Sequence, residues 1–397
     1  MNELKLFKYL FTVFLCLACI QETKANDTLV SFHLLEKISK MQPQKDGVFP
    51  KGIFPSYRTY ALNKDRQKAD INPFFTGLII FTLQQLKNDL TPFQQQLVNS
   101  IISTAKLNLQ KFKNQKGRDT YNFWPTDSPQ IFPNGGWLNW FNRQQALPDD
   151  MDDTVILLLA LEVTDSVANN VHTLMQSFTN NQLQVNNTFK EFQHIPAYST
   201  WFGKKMPVDF DVSVLANILY FVQTRQLKWT TADSASLNLI IQVIKEKYYL
   251  SHPAYISPHY NSSAIILYHI SRLMQIKPIP VLESYKAQLL DDTRKLLLHA
   301  DNLMEKIILQ TTLIRWGEYP ETIQLHTAKD LTELIEEEQF SFFIANMASM
   351  LPDRFKQIMS TLQFGKFTYY CPSYNYLLLL ENIILHQRKS TTLMTAK

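Results

Sequence analysis

The sequence predicts an all-α fold, a single (α/α)6-type toroid in which an inner ring of helices is wrapped by an outer one. Nine glycines in 397 residues is about a third of the usual share, and strand-rich folds with many tight turns use glycine freely. Some segments carry apolar residues at helical spacing with a wet face opposite, the mark of outward-lying helices. Others are apolar on nearly every side, so that a helix formed from them must be buried all round. The two kinds alternate, which is what an inner and an outer ring require.

Residues 1–25 read as an export signal. Lys5 and Lys8 form a basic start, Leu10 to Ile20 an apolar stretch too short to span a bilayer, and Thr23-Lys24-Ala25 a small-residue cleavage site. Cleavage near Ala25 implies a periplasmic or secreted protein. Lipid anchoring through Cys19 is the alternative, although Cys16 stands where such a signal wants an aliphatic residue. With Cys16 and Cys19 removed, Cys371 is left alone and no internal disulfide can form.

Residues 26–397 are then one toroid domain. The all-apolar segments are DINPFFTGLIIFTL from Asp70, PDDMDDTVILLLAL from Pro148, PVDFDVSVLANILYFV from Pro207, SPHYNSSAIILYHI from Ser257, EEQFSFFIANMASM from Glu337 and CPSYNYLLLLENIIL from Cys371. Each opens on Pro, Asp, Asn, Ser or aromatic residues, the chemistry of a helix start. Gln94 to Phe112, Ser234 to Tyr249 and Tyr285 to Ile308 have the wet-faced pattern and are expected outside. An ordinary multi-helix globule is the alternative, because the repeats are irregular in length.

The net charge of +4 is spread without a basic block, which argues against nucleic acid as a partner. The histidines show neither H-E-x-x-H nor a Cys-His zinc spacing, and there is no glycine-rich phosphate loop and no G-x-S-x-G elbow. No metal or cofactor is expected. The chemistry concentrates instead in Asp149, Asp150, Asp152 and Asp153, crowded ahead of an apolar run. At a helix start, carboxylates cap free amides and meet the positive end of the macrodipole, but four exceed what capping needs. Residues three and four apart share a face. Like charges held together in a poorly solvated cavity cannot all ionise, so one should keep its proton, as a general acid must. The same crowding could instead hold a divalent cation.

Asp150-Met151-Asp152-Asp153-Thr154 resembles the D-x-D-D-T signature of class II terpene cyclases, the group that includes the squalene-hopene cyclases. That resemblance implies an α/α barrel with the motif at the start of an inner helix. It also implies acid-initiated cyclisation of an isoprenoid, with Asp152 as proton donor and Asp150 and Asp153 beside it. The class I signature D-D-x-x-D can also be read, as Asp149, Asp150 and Asp153, but that motif normally closes a helix and this one opens it. Gln42 to Phe49 resembles the Q-x-x-x-D-G-x-W repeats of these cyclases, and Asn134 to Trp137 and Arg315 to Tyr319 look like degraded copies. Those cyclases use two barrels, and this chain has residues for one.

Further cavity candidates open other inner segments. Asp209 and Asp211 flank Phe210, His259 and Tyr260 precede the next apolar run, and Tyr374 begins the last. Taken singly, such residues are more often helix caps or ordinary core packing. With Trp137 and Trp316 these residues, and Asp149, are the expected substrate-binding set, and Trp124, Trp140 and Trp201 are further stacking platforms. The expected partner is a small lipid or isoprenoid, with peripheral membrane contact left open. Two carboxyl groups across a cavity also fit an exported glycoside hydrolase or lyase of the α/α class, and a non-catalytic toroid that binds lipid or peptide is the third reading.

Overall fold

The computed structural model describes residues 28–128, 130–131, 146–181, 185–203, 206–321 and 328–395. The expected signal, Trp137, Trp140 and the stretch Asn134 to Trp137 lie outside these residues. The fold is mostly helical, and it includes a four-stranded antiparallel sheet, which corrects the all-α expectation.

The chain begins with α1 (28–41) and a hairpin of β1 (Tyr57–Tyr60) and β2 (Asn63–Ala69). Helices α2 (Phe74–Leu86), α3 (Pro92–Lys106), α4 (Met151–Ala160), α5 (Asp165–Met175), α6 (Val212–Thr224) and α7 (Thr231–Lys245) follow. Next come the one-turn helices α8 (Tyr248–Ser251) and α9 (Pro253–Ile256), α10 (Ser263–Ile276), the short α11 (Pro280–Glu283), α12 (Lys286–His299), α13 (Leu303–Arg315) and α14 (Ala328–Glu338). The chain closes with β3 (Ser341–Asn346), α15 (Asp353–Thr361), β4 (Lys366–Tyr370) and α16 (Pro372–Thr395).

Six helices form the buried centre. Helix α2 packs on α4, α4 on α6, α6 on α10, α10 on α13, α13 on α16, and α16 on α2. Five of them arise from the all-apolar segments, and every residue of α4 is buried. Gly77 lets α2 and α4 approach closely, since a Cβ there would lie 2.9 Å from Leu157 Cδ2. Outside this set, α3 packs on α2, α7 on α6, α12 on α13, and α14 on α13 and α16. Among them, α3 and α7 open on reciprocal capping boxes, Thr91 with Gln94 and Thr230 with Asp233.

Two expectations about elements are corrected. Tyr285 to Ile308 is not one outer helix, because Asn302 accepts the Glu305 N–H and starts a new helix, α13. The segment from Glu337 is not an inner helix either. Its Ser341–Asn346 stretch is β3, which pairs with β4 in the order β2-β1-β4-β3. Strand β1 pairs with β4 from Tyr57 opposite Tyr370 to Tyr60 opposite Phe367, so the sheet joins the two ends of the described chain. Strand β2, NKDRQKA, lies at the sheet edge, where charged side chains discourage further pairing. No helix among the described residues is long and apolar enough to cross a membrane.

Candidate functional site

The aspartate cluster opens α4 as expected. Asp150 caps the helix, its Oδ1 accepting the N–H of Asp152 at 2.6 Å and of Asp153 at 3.1 Å. The backbone around it is clamped on both sides. Asp150 N–H donates to the Tyr121 carbonyl at 3.0 Å, Met151 N–H to Thr200 at 2.9 Å, and Phe202 N–H to the Asp149 carbonyl at 2.9 Å. The backbone at the start of α4 is thus anchored to two flanking segments.

The four aspartates have different surroundings. Asp149 turns to the loop before it, accepting from Thr120 Oγ1 at 2.5 Å and Asn114 Nδ2 at 2.6 Å. Asp152 accepts on both oxygens, from Asn217 Nδ2 at 2.6 Å and from the Tyr260 hydroxyl. Asn217 in turn accepts from Arg272 Nη2, so a chain of polar side chains runs from Tyr260 through Asp152 and Asn217 to Arg272. Asp153 is 2 % exposed, and its Oδ1 has no hydrogen-bond partner.

Burial sets their acidity. It pushes Asp150 up to about 7, helped by the neighbouring Asp152 charge and opposed by the two capping N–H groups and His259. Burial likewise pushes Asp152 up to about 6 against the pull of Tyr260 and Asn217. Asp153 lies well above the usual carboxylate range, through burial and then the Asp150, Asp152 and Asp149 charges. Burial and neighbouring carboxylates both favour the neutral form of such a carboxyl, and its Oδ1 has no donor to offset them.

Asp150, Asp152 and Asp153 line one wall of a cavity of about 60 Å³. Phe74, Val214, His259 and Tyr260, at the starts of α2, α6 and α10, contribute side walls with Trp124 and Trp201. Residues Phe343 to Ala345 of β3 and Tyr369 of β4 cover it, so the unexpected sheet is its roof. The Ile344 N–H donates to the His259 carbonyl at 2.8 Å, tying roof to wall. Trp124 Nε1 lies 3.3 Å from both oxygens of Asp70, and the Trp201 ring meets His259 edge-on at 5.9 Å. Apart from the carboxyls and His259, the lining is largely apolar and aromatic.

The rest of the expected set falls elsewhere. Asp211 caps α6, accepting from Ser213 N–H at 2.9 Å, Ser257 Oγ at 2.6 Å and His259 N–H at 2.9 Å. Asp209 lies 3.5 Å from Lys356 Nζ and 3.4 Å from His259 Nε2, the latter too poorly aligned for a hydrogen bond. Burial lowers the basicity of His259, but Asp209, Asp211 and Asp150 outweigh it and hold its pKa above the ordinary value. Neither Asp209 nor Asp211 lines the cavity. Asp149 is likewise turned away. Tyr374 packs in the core against Phe75 and Phe342, and Trp316 sits beyond the far end of α13.

Phe343 to Ala345 carry no legible signal for the site, because a short apolar run reads equally as a buried helix. Asn217 and Arg272 do carry one, as polar residues inside largely apolar helices. No group of three or more His, Cys, Asp or Glu among the described residues is arranged to hold a metal ion. No family model, curated protein or solved structure matches this chain.

Proposed function

We propose that the chain is a single (α/α)6-type toroid that starts its reaction by donating a proton from the aspartate cluster to an alkene-bearing, isoprenoid-like substrate. The cyclic packing of six buried helices within outer helices supports the toroid. The observation that carries the chemistry is Asp153, a buried carboxyl with an unpartnered oxygen on the wall of an apolar, aromatic cavity. The D-x-D-D-T resemblance points to the same reaction type, with Asp152 as donor.

The hydrogen bonds favour a division of labour within the motif. Asp152, accepting on both oxygens, is suited to remain a carboxylate and to fix Tyr260 and Asn217. Asp153 is suited to hold the proton. Transfer of the Asp153 carboxyl proton to an alkene carbon leaves a carboxylate on the protein and a carbocation on the substrate, and the charges balance. The faces of Trp124, Trp201, Phe343 and Tyr369 would stabilise the cation. A cavity of about 60 Å³ holds roughly four or five water-sized probes, so one end of the substrate chain reaches the acid while the rest lies outside.

The test is incubation of residues 26–397 with squalene and with geranylgeranyl diphosphate in deuterium oxide, followed by mass spectrometry. The expected result is a cyclised or isomerised product carrying one solvent deuteron, made by the parent and absent with Asp153→Asn. Product without deuterium, or undiminished product from Asp153→Asn, would overturn the acid role. No product from any isoprenoid tried would favour a toroid that binds a lipid without transforming it.

A further inference from the structure

A second cavity, of about 290 Å³, lies at the opposite end of the six-helix ring. Its lining comes from the C-terminal ends of α2, α6, α10 and α13 and from the middle of α16. Arg272, Arg315 and Arg388 line it together with one carboxylate, Glu381. Arg315 pairs with Glu381, and Arg388 pairs with Asp89 at 2.6 Å.

Arg272 is left over. It is 4 % exposed and makes no ion pair among the described residues. Its Nη2 donates to the neutral Asn217 side chain, and its Nε and Nη1 have no hydrogen-bond partner. The faces of Phe81, Tyr220 and Tyr268 stand 5.4 to 5.6 Å from the guanidinium carbon, which makes the cation tolerable there. These rings carry no net charge, and the Asp152 carboxylate is one side chain removed through Asn217, so the guanidinium has no anion in direct contact beside the cavity, an expensive arrangement unless one completes it. Arg315 Nε is a further buried donor without a partner.

We propose that this cavity binds a singly charged organic oxyanion, a carboxylate on a short apolar body, with the carboxylate at Arg272 and Arg315. One guanidinium without an anion in direct contact calls for one negative charge, and guanidinium N–H groups match carboxylate oxygens in geometry. Phe81, Leu86, Ile276 and Leu385 supply the apolar wall for the body. The site stands independently of the acid chemistry at the other end.

Titration calorimetry of the protein at low ionic strength tests it, with hexanoate as probe and hexan-1-ol and inorganic phosphate as comparisons. The expected result is saturable hexanoate binding, with neither comparison saturating. Arg272→Gln should abolish binding. Gln275→Glu, at an exposed position on the rim, should weaken it at least tenfold with an unchanged thermal midpoint, which guards against misfolding of the Arg272 variant. Absence of saturable hexanoate binding, or wild-type affinity in Gln275→Glu, would overturn the site. Phosphate binding as tightly as hexanoate would overturn the apolar-body assignment.

Discussion

Replacing Asp152 by Asn separates the charge of this residue from its hydrogen bonds. An asparagine can present its oxygen to Asn217 Nδ2 and its amide to the Tyr260 hydroxyl, which then accepts, so both contacts survive. What disappears is ionisation in a buried place. Burial raises Asp152 from 3.8 to about 6, so the folded state holds its proton over a range in which the unfolded chain has released it. The sign follows directly: this contribution to stability is fully present below about pH 4 and is lost as the pH climbs towards 6. At about 1.4 kcal/mol per pKa unit, and allowing for the part already lost at pH 4, the wild type should lose roughly 2 kcal/mol between pH 4 and pH 7 that the variant keeps. Urea unfolding followed by circular dichroism at both pH values measures the variant minus wild-type difference at each. That difference should move in the variant's favour by this amount between the two. A difference independent of pH would refute the argument that Asp152 is an acid raised by burial.

Other perturbations probe the frame around the site. Arg315→Met leaves Glu381 buried without its partner and should lower stability by about 3–5 kcal/mol at pH 7, with much of the loss recovered at low pH in the same urea assay. Gly52 has φ of +80°, and a Cβ there would collide with the Thr104 carbonyl; Gly52→Ala should therefore lower stability by about 1–3 kcal/mol or more, read as a drop in thermal midpoint. Asp211→Ala removes the acceptor that caps α6 and holds the His259 N–H, and should cost about 2 kcal/mol while leaving the cavity wall of aspartates in place.

The helices that repeat one signal were legible. Segments apolar on all sides and opened by Pro, Asp, Asn, Ser or aromatic residues became α2, α4, α6, α10 and α16, and the proposed cavity-facing aspartates, His259 and Tyr260 stand at their starts. Helix α13 was hidden because Gln310, Thr311 and Thr312 interrupt its apolar run although all three are buried, and only tertiary packing reveals that. The sheet was hidden for opposite reasons on its two sides. Strand β2 carries no apolar alternation to read, whereas β3 is apolar enough to pass for a buried helix, the ambiguity inherent in short apolar runs. Because the roof of the cavity is β3 and β4, the aspartates could be found from sequence and their enclosure could not. The division between Asp152 and Asp153 was equally out of reach, since it depends on Asn217 and Tyr260, contributed by α6 and by the segment before α10.

The central claim is that Asp153 holds a proton at neutral pH beside the cavity, and infrared spectroscopy of the carboxyl C=O stretch in wild type and Asp153→Asn tests it most directly. The measurement belongs at pH 7, read as the difference between the two proteins, so that the contribution of Asp150, pushed up to about 7, is common to both. A protonated-carboxyl band in the wild type minus variant difference is the predicted result. A difference without that band would contradict it.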